Sequence, residues 1–326
     1  MTAPPQTTPK TATRETPGPR PARNPRQRRD YGLVILAAPA VILLLVFAYG
    51  PMAGLVVAFQ DFNVADGVFA SPWAGLENFR FFFTSGDATR IMRNTLLLNV
   101  LFLSATLAVG VMLALMLNEI RGKVTKRFFQ SVIFVPYFVS PIVVSIFLQA
   151  FLAGPGGRGG LINDAAGLFG IPSVTWYTEP GPWPWILTLV KVWQLGGYMS
   201  VIFLAAITAI PEEVYEAGEI DGASRAQMAW RITTPLLKPT AAILLVLGVG
   251  RIFYGDFATI YAIVGDNGTL FPTTDVIDTY VFRALRTRGD FGVTAAIGLV
   301  QSVVGFVLVV VATMVQRRYA KETSIL

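Results

Sequence analysis

Two sets of side chains in this 326-residue sequence have types and spacings that could do chemistry. The first is polar and aromatic residues inside long apolar runs: Lys191, Trp193, Gln194 and Tyr198 beside Gly196-Gly197, then Arg251, Tyr254, Asp256 and Tyr261. An ionisable group facing lipid is expensive, so these should face a protein interior or a watery cavity. The 3, 4, 3 spacing of Arg251, Tyr254, Ala258 and Tyr261 predicts one shared helical face. Their chemistry would be recognition by hydrogen bonds and stacking. Each also has a plain structural use, since Lys191 can snorkel to an interface and Arg251 and Asp256 can neutralise charges on neighbouring helices. The second set is Glu216, Ala217, Gly218, Asp221, Gly222, Ala223, Ile232 and Pro235, ordered within a polar segment at 211–239.

Bond-making chemistry is poorly provided for. The chain has no His and no Cys, which removes imidazole acid–base catalysis, thiolate metal sites and disulfides. No GxxxxGK[ST] sequence occurs. The Gly-rich run Gly154–Gly160 lacks the lysine that a phosphate cradle needs, and reads as a loop. No catalytic residue, metal ligand or bound cofactor is expected.

The elements that must position these residues follow from composition. Residues are 53% hydrophobic and 14% charged, about half the charge of a soluble domain. The expected fold is all-α and polytopic, with six transmembrane helices, because a span needs about 20 apolar residues. The expected spans are Tyr31–Gln60 (ending near Gly50-Pro51), Asn94–Asn118, Phe128–Phe151, Trp185–Ile210, Thr240–Val264 and Phe291–Gln316. Pro136 and Pro141 mark a bend in the third. Residues 1–30, with seven Pro and seven Lys or Arg, form an expected disordered basic cytoplasmic tail. The remainder, 31–326, is expected to be one transmembrane domain.

Loop charge orients the spans. With both termini in the cytoplasm, inside segments carry 17 Lys and Arg and outside loops 7, the bias of the positive-inside rule. Aromatic clusters at Phe79–Phe83 and Trp176–Trp185 fit the outer interface. The net charge of +6 thus reflects membrane topology, and no nucleic-acid partner is expected.

The segment 211–239 is long for a cytoplasmic loop and reads as helix–turn–helix. Pro211 suits a first helical turn, and Glu212, Glu213 and Glu216 favour the macrodipole. Asp221-Gly222 interrupts, with Asp221 available to cap the next helix and Gly222 permitting the turn. Ser224-Arg225-Ala226-Gln227 is an alternative start with a capping box. Thr233-Thr234-Pro235 and Pro239 are expected to end it.

Glu216-Ala217-Gly218, three residues, Gly222, nine residues, Ile232, one residue, Thr234-Pro235 resembles the E-A-A-x3-G-x9-I-x-L-P signature of binding-protein-dependent ABC importer permeases. Gly218 replaces the second Ala and Thr234 the Leu. Ile210–Ala217 with Asp221-Gly222-Ala223 is most similar to the sugar-transport branch. Gly250–Phe257, Thr273–Val281 and Gln301–Phe306 resemble the polysaccharide or oligosaccharide subgroup. The likeness covers roughly residues 30–326.

The resemblance implies a type I ABC importer permease architecture in the cytoplasmic membrane, translocating a sugar, with an oligosaccharide expected. It implies that the loop around Glu216–Gly222 seats in a cleft of a dimeric ATP-binding subunit, where ATP and Mg are bound. It further implies a second homologous permease subunit, an extracytoplasmic solute-binding lipoprotein and a path between the two permeases. Lys191, Trp193, Gln194, Tyr198, Arg251, Tyr254, Asp256 and Tyr261 are then the candidates to line that path. Gly218 should loosen its helix by roughly 1 kcal/mol relative to Ala, so that helix depends on packing.

Two other classes stay open on the residues alone. An ion-coupled secondary transporter of a small polar solute would want inverted repeats and paired intramembrane carboxylates, whereas only Asp256 lies at depth. An intramembrane enzyme would need acidic pairs at span ends that the sequence does not offer.

Overall fold

The computed structural model describes residues 31–154 and 159–323. The expected tail at 1–30 lies outside the described residues. The chain divides into two compact units, ending and beginning at Ala53 and Gly54. Secondary structure among the described residues is helical, with one isolated bridge between Gln60 and Trp73.

Helix α1 spans Val34–Phe59. Its expected end at Gly50-Pro51 does not occur. The α-helix Tyr31–Leu44 passes into a π turn at Leu45–Tyr49 and then a 3-10 stretch at Gly50–Phe59. Such changes of hydrogen-bond register absorb a proline without stopping the helix.

In the second unit, α2 (Gly86–Asn118), α5 (Trp183–Thr208) and α11 (Phe291–Thr323) are continuous. Each contains a stretch long and apolar enough to cross a bilayer, as does α1. Two further pairs can each make one bent span. Helices α3 (Lys123–Phe138) and α4 (Pro141–Leu152) meet at 95°, and α7 (Arg225–Leu236) and α8 (Lys238–Val249) at 52°. That gives four spans, or up to six with both pairs counted. The first bend falls at the proline pair: Val139 leaves helical geometry and Ser140 caps α4, its Oγ accepting from Val143 N–H at 3.4 Å.

The expected fifth span, Thr240–Val264, is broken. Helix α8 stops at Val249, residues 250–256 form turns, and α9 (Phe257–Val264) resumes beyond them. The shared face of Arg251, Tyr254, Ala258 and Tyr261 is therefore not formed, because the first two residues lie in the break.

Three cores hold the second unit together. Leu98, Phe102, Val144, Trp183, Leu187 and Ile260 pack where α2, α4, α5 and α9 meet. Ile91, Phe253, Ile277, Tyr280 and Ile297 join α2 and α11 to α10 (Ile277–Arg283). Ala114, Leu117, Phe203, Ile207 and Leu237 seal the far end of α2 and α5. Many large apolar residues outside these cores, such as Leu189 and Phe306, are exposed. That inversion suits lipid as solvent.

Candidate functional site

The segment 211–239 is built as helix, turn, helix. Helix α6 (Glu212–Ile220) begins after Pro211, and Glu212 and Glu213 occupy its first turn. Asp221 closes α6 instead of capping the next helix; its N–H donates to Ala217 O at 3.0 Å. Gly222 then takes φ +77°, and Ala223 N–H returns to Gly218 O at 2.9 Å. Helix α7 starts at Ser224 with a complete capping box: Gln227 N–H donates to Ser224 Oγ and Ser224 N–H to Gln227 Oε1. Helix α7 runs through a π stretch at Met228–Thr233 and ends at Leu236, between Pro235 and Pro239 as their positions predict, with the 52° bend to α8 at Leu237.

The two arms are fastened to each other. Gly218 is buried, and a Cβ placed there would stand 2.9 Å from Ile232 Cδ1. Tyr215 Oη and the buried Thr233 Oγ1 lie 3.0 Å apart in a hydrogen bond. Leu237, at the root, is 2% exposed within the core formed by α2 and α5. Arg225 pairs with Glu119, just past the end of α2, at 3.5 Å. The outer side of the pair exposes Glu216, Ala217, Asp221 and Pro235, together with Ile220, at 86% exposure, and Trp230. The braced pair thus exposes Glu216 and Asp221, along with Glu212, Glu213 and Glu219, beside apolar surface. Of the sequence candidates, Gly218, Ala223 and Ile232 serve the internal packing, while Glu216, Ala217 and Asp221 face outward.

The intramembrane candidates fall into separate groups. Lys191 Nζ forms an ion pair with Asp256, linking the middle of α5 to the residue that precedes α9. Gln194 is buried and donates to Val139 O at 3.2 Å, in the bend between α3 and α4. Tyr198 stacks on Tyr137 with ring centroids 4.9 Å apart, 12° from parallel, and Phe134 completes the stack. Tyr137, Phe138, Tyr198 and Trp193 all keep exposed surface. Gly197 allows this closeness, since its backbone abuts the Ile133 carbonyl with no room for a Cβ.

Arg251 is exposed and makes no ion pair among the described residues. Tyr254 Oη lies 3.2 Å from Ser302 Oγ on α11. Tyr261 belongs elsewhere: its hydroxyl donates to Asp266 and accepts from Arg286 Nη1, while its ring packs on Phe257 and Phe282. The break at 250–256 is pinned by α10 and α11. Gly255 N–H donates to Asp278, and Gln301 Nε2 donates to Phe253 O at 2.9 Å and to Asp278 at 3.3 Å. Burial pushes the Asp278 carboxyl above the usual range, against the lowering effect of those two donors.

Sequence reasoning passed over Tyr137, Glu119 and the polar group around Asp275. Tyr137 stands between Pro136 and Pro141, so an aromatic at a proline break was the available signal. Asp275 is completely buried; Arg283 Nη2 donates to it at 2.7 Å, Arg90 Nη2 at 3.4 Å and Thr279 Oγ1 at 2.9 Å. Thr279 and Arg283 lie only four and eight residues beyond Asp275, a helical spacing that could have joined them, whereas no local spacing brings in Arg90.

Similarity to known proteins bears on this geometry. Residues 106–321 match the family of binding-protein-dependent transport system inner membrane components. The polygalacturonan/rhamnogalacturonan transport system permease protein YteP of Bacillus subtilis is 33% identical over 290 residues, covering 89% of each chain. Protein LplB of the same organism is 34% identical over 298 residues, covering 90% of this chain and 91% of its own. Among solved structures, a chain of a bacterial alginate ABC transporter, crystallised with an alginate pentasaccharide-bound periplasmic protein, superposes with TM-score 0.80. It is 32% identical, and the match covers 90% of this chain and 96% of that one.

Proposed function

The chain belongs to the family of binding-protein-dependent transport system inner membrane components, and from that premise we propose that it forms half of an oligosaccharide import path and is driven through the 211–239 loop. It is a permease subunit of an ABC importer, and ATP hydrolysis takes place on a separate subunit. The sugar substrate follows from its relatives, one named for polygalacturonan and rhamnogalacturonan and another crystallised with an alginate-loaded periplasmic protein. A second homologous permease, a dimeric ATP-binding subunit and a solute-binding lipoprotein complete the assembly. The loop faces the cytoplasm together with both termini.

The observation that carries the reading is the bracing of α6 on α7 through Gly218, Ile232, Tyr215 and Thr233. A lever must be stiff to transmit a displacement. Here its stiffness comes from close packing, and its root at Leu237 sits in the core between α2 and α5. Glu216, Asp221 and Ile220 are then the residues that register the loop in the ATPase cleft. Movement of the loop shifts α8, while α9 stays tied to α5 by Lys191 and Asp256; the turns at 250–256 absorb the difference. On the path itself, Tyr137, Tyr198 and Trp193 offer aromatic faces to sugar rings, and Arg251 and Tyr254 offer donors. Bond formation is nowhere required of these residues.

The test is reconstitution with sister permease, ATPase and binding protein in proteoliposomes. A Glu216→Lys/Gly222→Pro double variant should lose co-purifying ATPase and ATP-driven uptake while still inserting in the membrane. Undiminished association with normal uptake would refute the assignment of the loop.

A further inference from the structure

We infer that the sugar carried by this permease bears carboxylates, and that the chain meets them with two cationic stations, one at the mouth and one inside the span. The inference rests on the oligosaccharide-import reading and narrows it to an acidic glycan.

The first station is a cavity of about 220 Å³ lined by Asp87, Arg90, Asp275, Arg283 and Arg288, with Phe271 and Tyr280 among its walls. It lies at the start of α2, and the driven loop lies at that helix's other end. Asn118 follows Arg90 by 28 residue steps, or roughly 42 Å of helix, so the cavity opens on the outward side. Its charges do not balance. Asp275 is consumed by Arg283 and Arg90, and Asp87 by Arg90 at 2.7 Å. Three guanidinium groups face two carboxylates, and Arg288 is exposed with no ion pair among the described residues. One further carboxylate evens the count. The cavity is below the roughly 300–1,000 Å³ of drug-sized pockets, so it suits one ring of a chain and not the whole chain.

Arg251 is the second station. It follows α8, whose 12 residues rise about 18 Å, so it stands deep in the span. Lys191 at similar depth already has its counter-ion in Asp256; Arg251 has none among the described residues and is exposed. A guanidinium there needs an anion or water. A passing carboxylate meets that need with paired N–H donors. Two separate cationic excesses, one at each stage of passage, point to the same ligand chemistry.

The experiment compares uptake of oligogalacturonate with its fully methyl-esterified form, which keeps the chain but loses the charge, by the complete transporter in proteoliposomes. Arg288→Gln and Arg251→Gln are used because neither residue pairs with a buried carboxylate, so the Asp275 cluster stays intact. The free acid should be preferred in kcat/KM by about tenfold, the scale of a charge-assisted hydrogen bond, and each variant should lower that preference several-fold. Equal uptake of acid and ester by the unmodified transporter would overturn the inference. So would a preference that neither variant alters, which would place selection on the binding protein. Equal losses for acid and ester would also overturn it, because they would mark the arginines as contacts for the binding protein's own acidic side chains. Transport of neutral glycans alone would leave the import reading standing, whereas failure to transport any glycan would strike that reading itself.

Discussion

Gly218 lies against Ile232 so closely that a methyl group added to it would stand 2.9 Å from Ile232 Cδ1. This contact explains why a residue of poor helix propensity is tolerated in the middle of α6. Packing of the two arms replaces part of what Ala would contribute, roughly 1 kcal/mol. Only the tip of the Ile side chain must move to admit Ala. Gly218→Ala should therefore change stability by less than about 1 kcal/mol, and Gly218→Leu should cost about 1–3 kcal/mol through overpacking. Ile232→Val should relieve part of the Leu penalty. Thermal unfolding of the purified complex measures all three; a Gly218→Leu protein as stable as the parent would mean that the arms do not pack.

Lys191 and Asp256 should prove worth more together than apart. Lys191→Met or Asp256→Asn strands the other charge inside the membrane. Breaking a buried pair costs about 3–5 kcal/mol, and the low end applies because the side chains are 17% and 22% exposed. The double variant, with no charge to strand, should recover most of the loss. Unfolding midpoints of the three proteins supply the comparison, and additive losses would show that the two groups are not coupled.

Much of this architecture was legible because membrane burial writes itself into long apolar runs. The end of α2, the start of α11 and both ends of α5 fall at or within two residues of their apolar limits, whereas α2 begins eight residues before Asn94 and α11 runs on to Thr323; the Glu216–Pro235 spacing located the braced loop. The broken fifth span was misread for a physical reason. Helical periodicity was extended from Arg251 to Tyr261 across a segment that unwinds, and nothing between Gly250 and Asp256 forbids a helix as proline would. The break is held by partners far away in the chain, Asp278 and Gln301. The Arg90 arm of the Asp275 cluster was invisible for the same reason, since Arg90 reaches it only after the chain has folded.

Tyr198 and Tyr137 form a stacked pair with exposed faces beside the α3–α4 bend. If sugar rings stack there in transit, Tyr198→Ala removes both the platform and its support. Aromatic pairs contribute about 0.5–1.5 kcal/mol, so the apparent KM for oligosaccharide uptake should rise roughly two- to tenfold. Tyr198→Phe keeps the stack and should retain most of the parental KM. Uptake kinetics at saturating binding protein separate the two; an Ala variant with parental kinetics would remove this pair from the path.

Gly222 provides the sharpest test of the lever, because its role is conformational and not spatial. A Cβ there would meet nothing within 4 Å, so no clash complicates a substitution. The residue is needed for φ +77°, which turns the chain from α6 into α7. An L-residue pays roughly 1–2 kcal/mol in that region, and Asn pays less than Ala because its amide can bond locally. Gly222→Ala should therefore weaken the turn and lower the sugar imported per ATP hydrolysed, with little change in membrane insertion. Gly222→Asn should restore most of that ratio although its side chain is larger. The order Gly, Asn, Ala is what a conformational role requires. A side chain intruding on a docked ATPase would give the order Gly, Ala, Asn instead, and measuring transport stoichiometry for the three proteins decides between them.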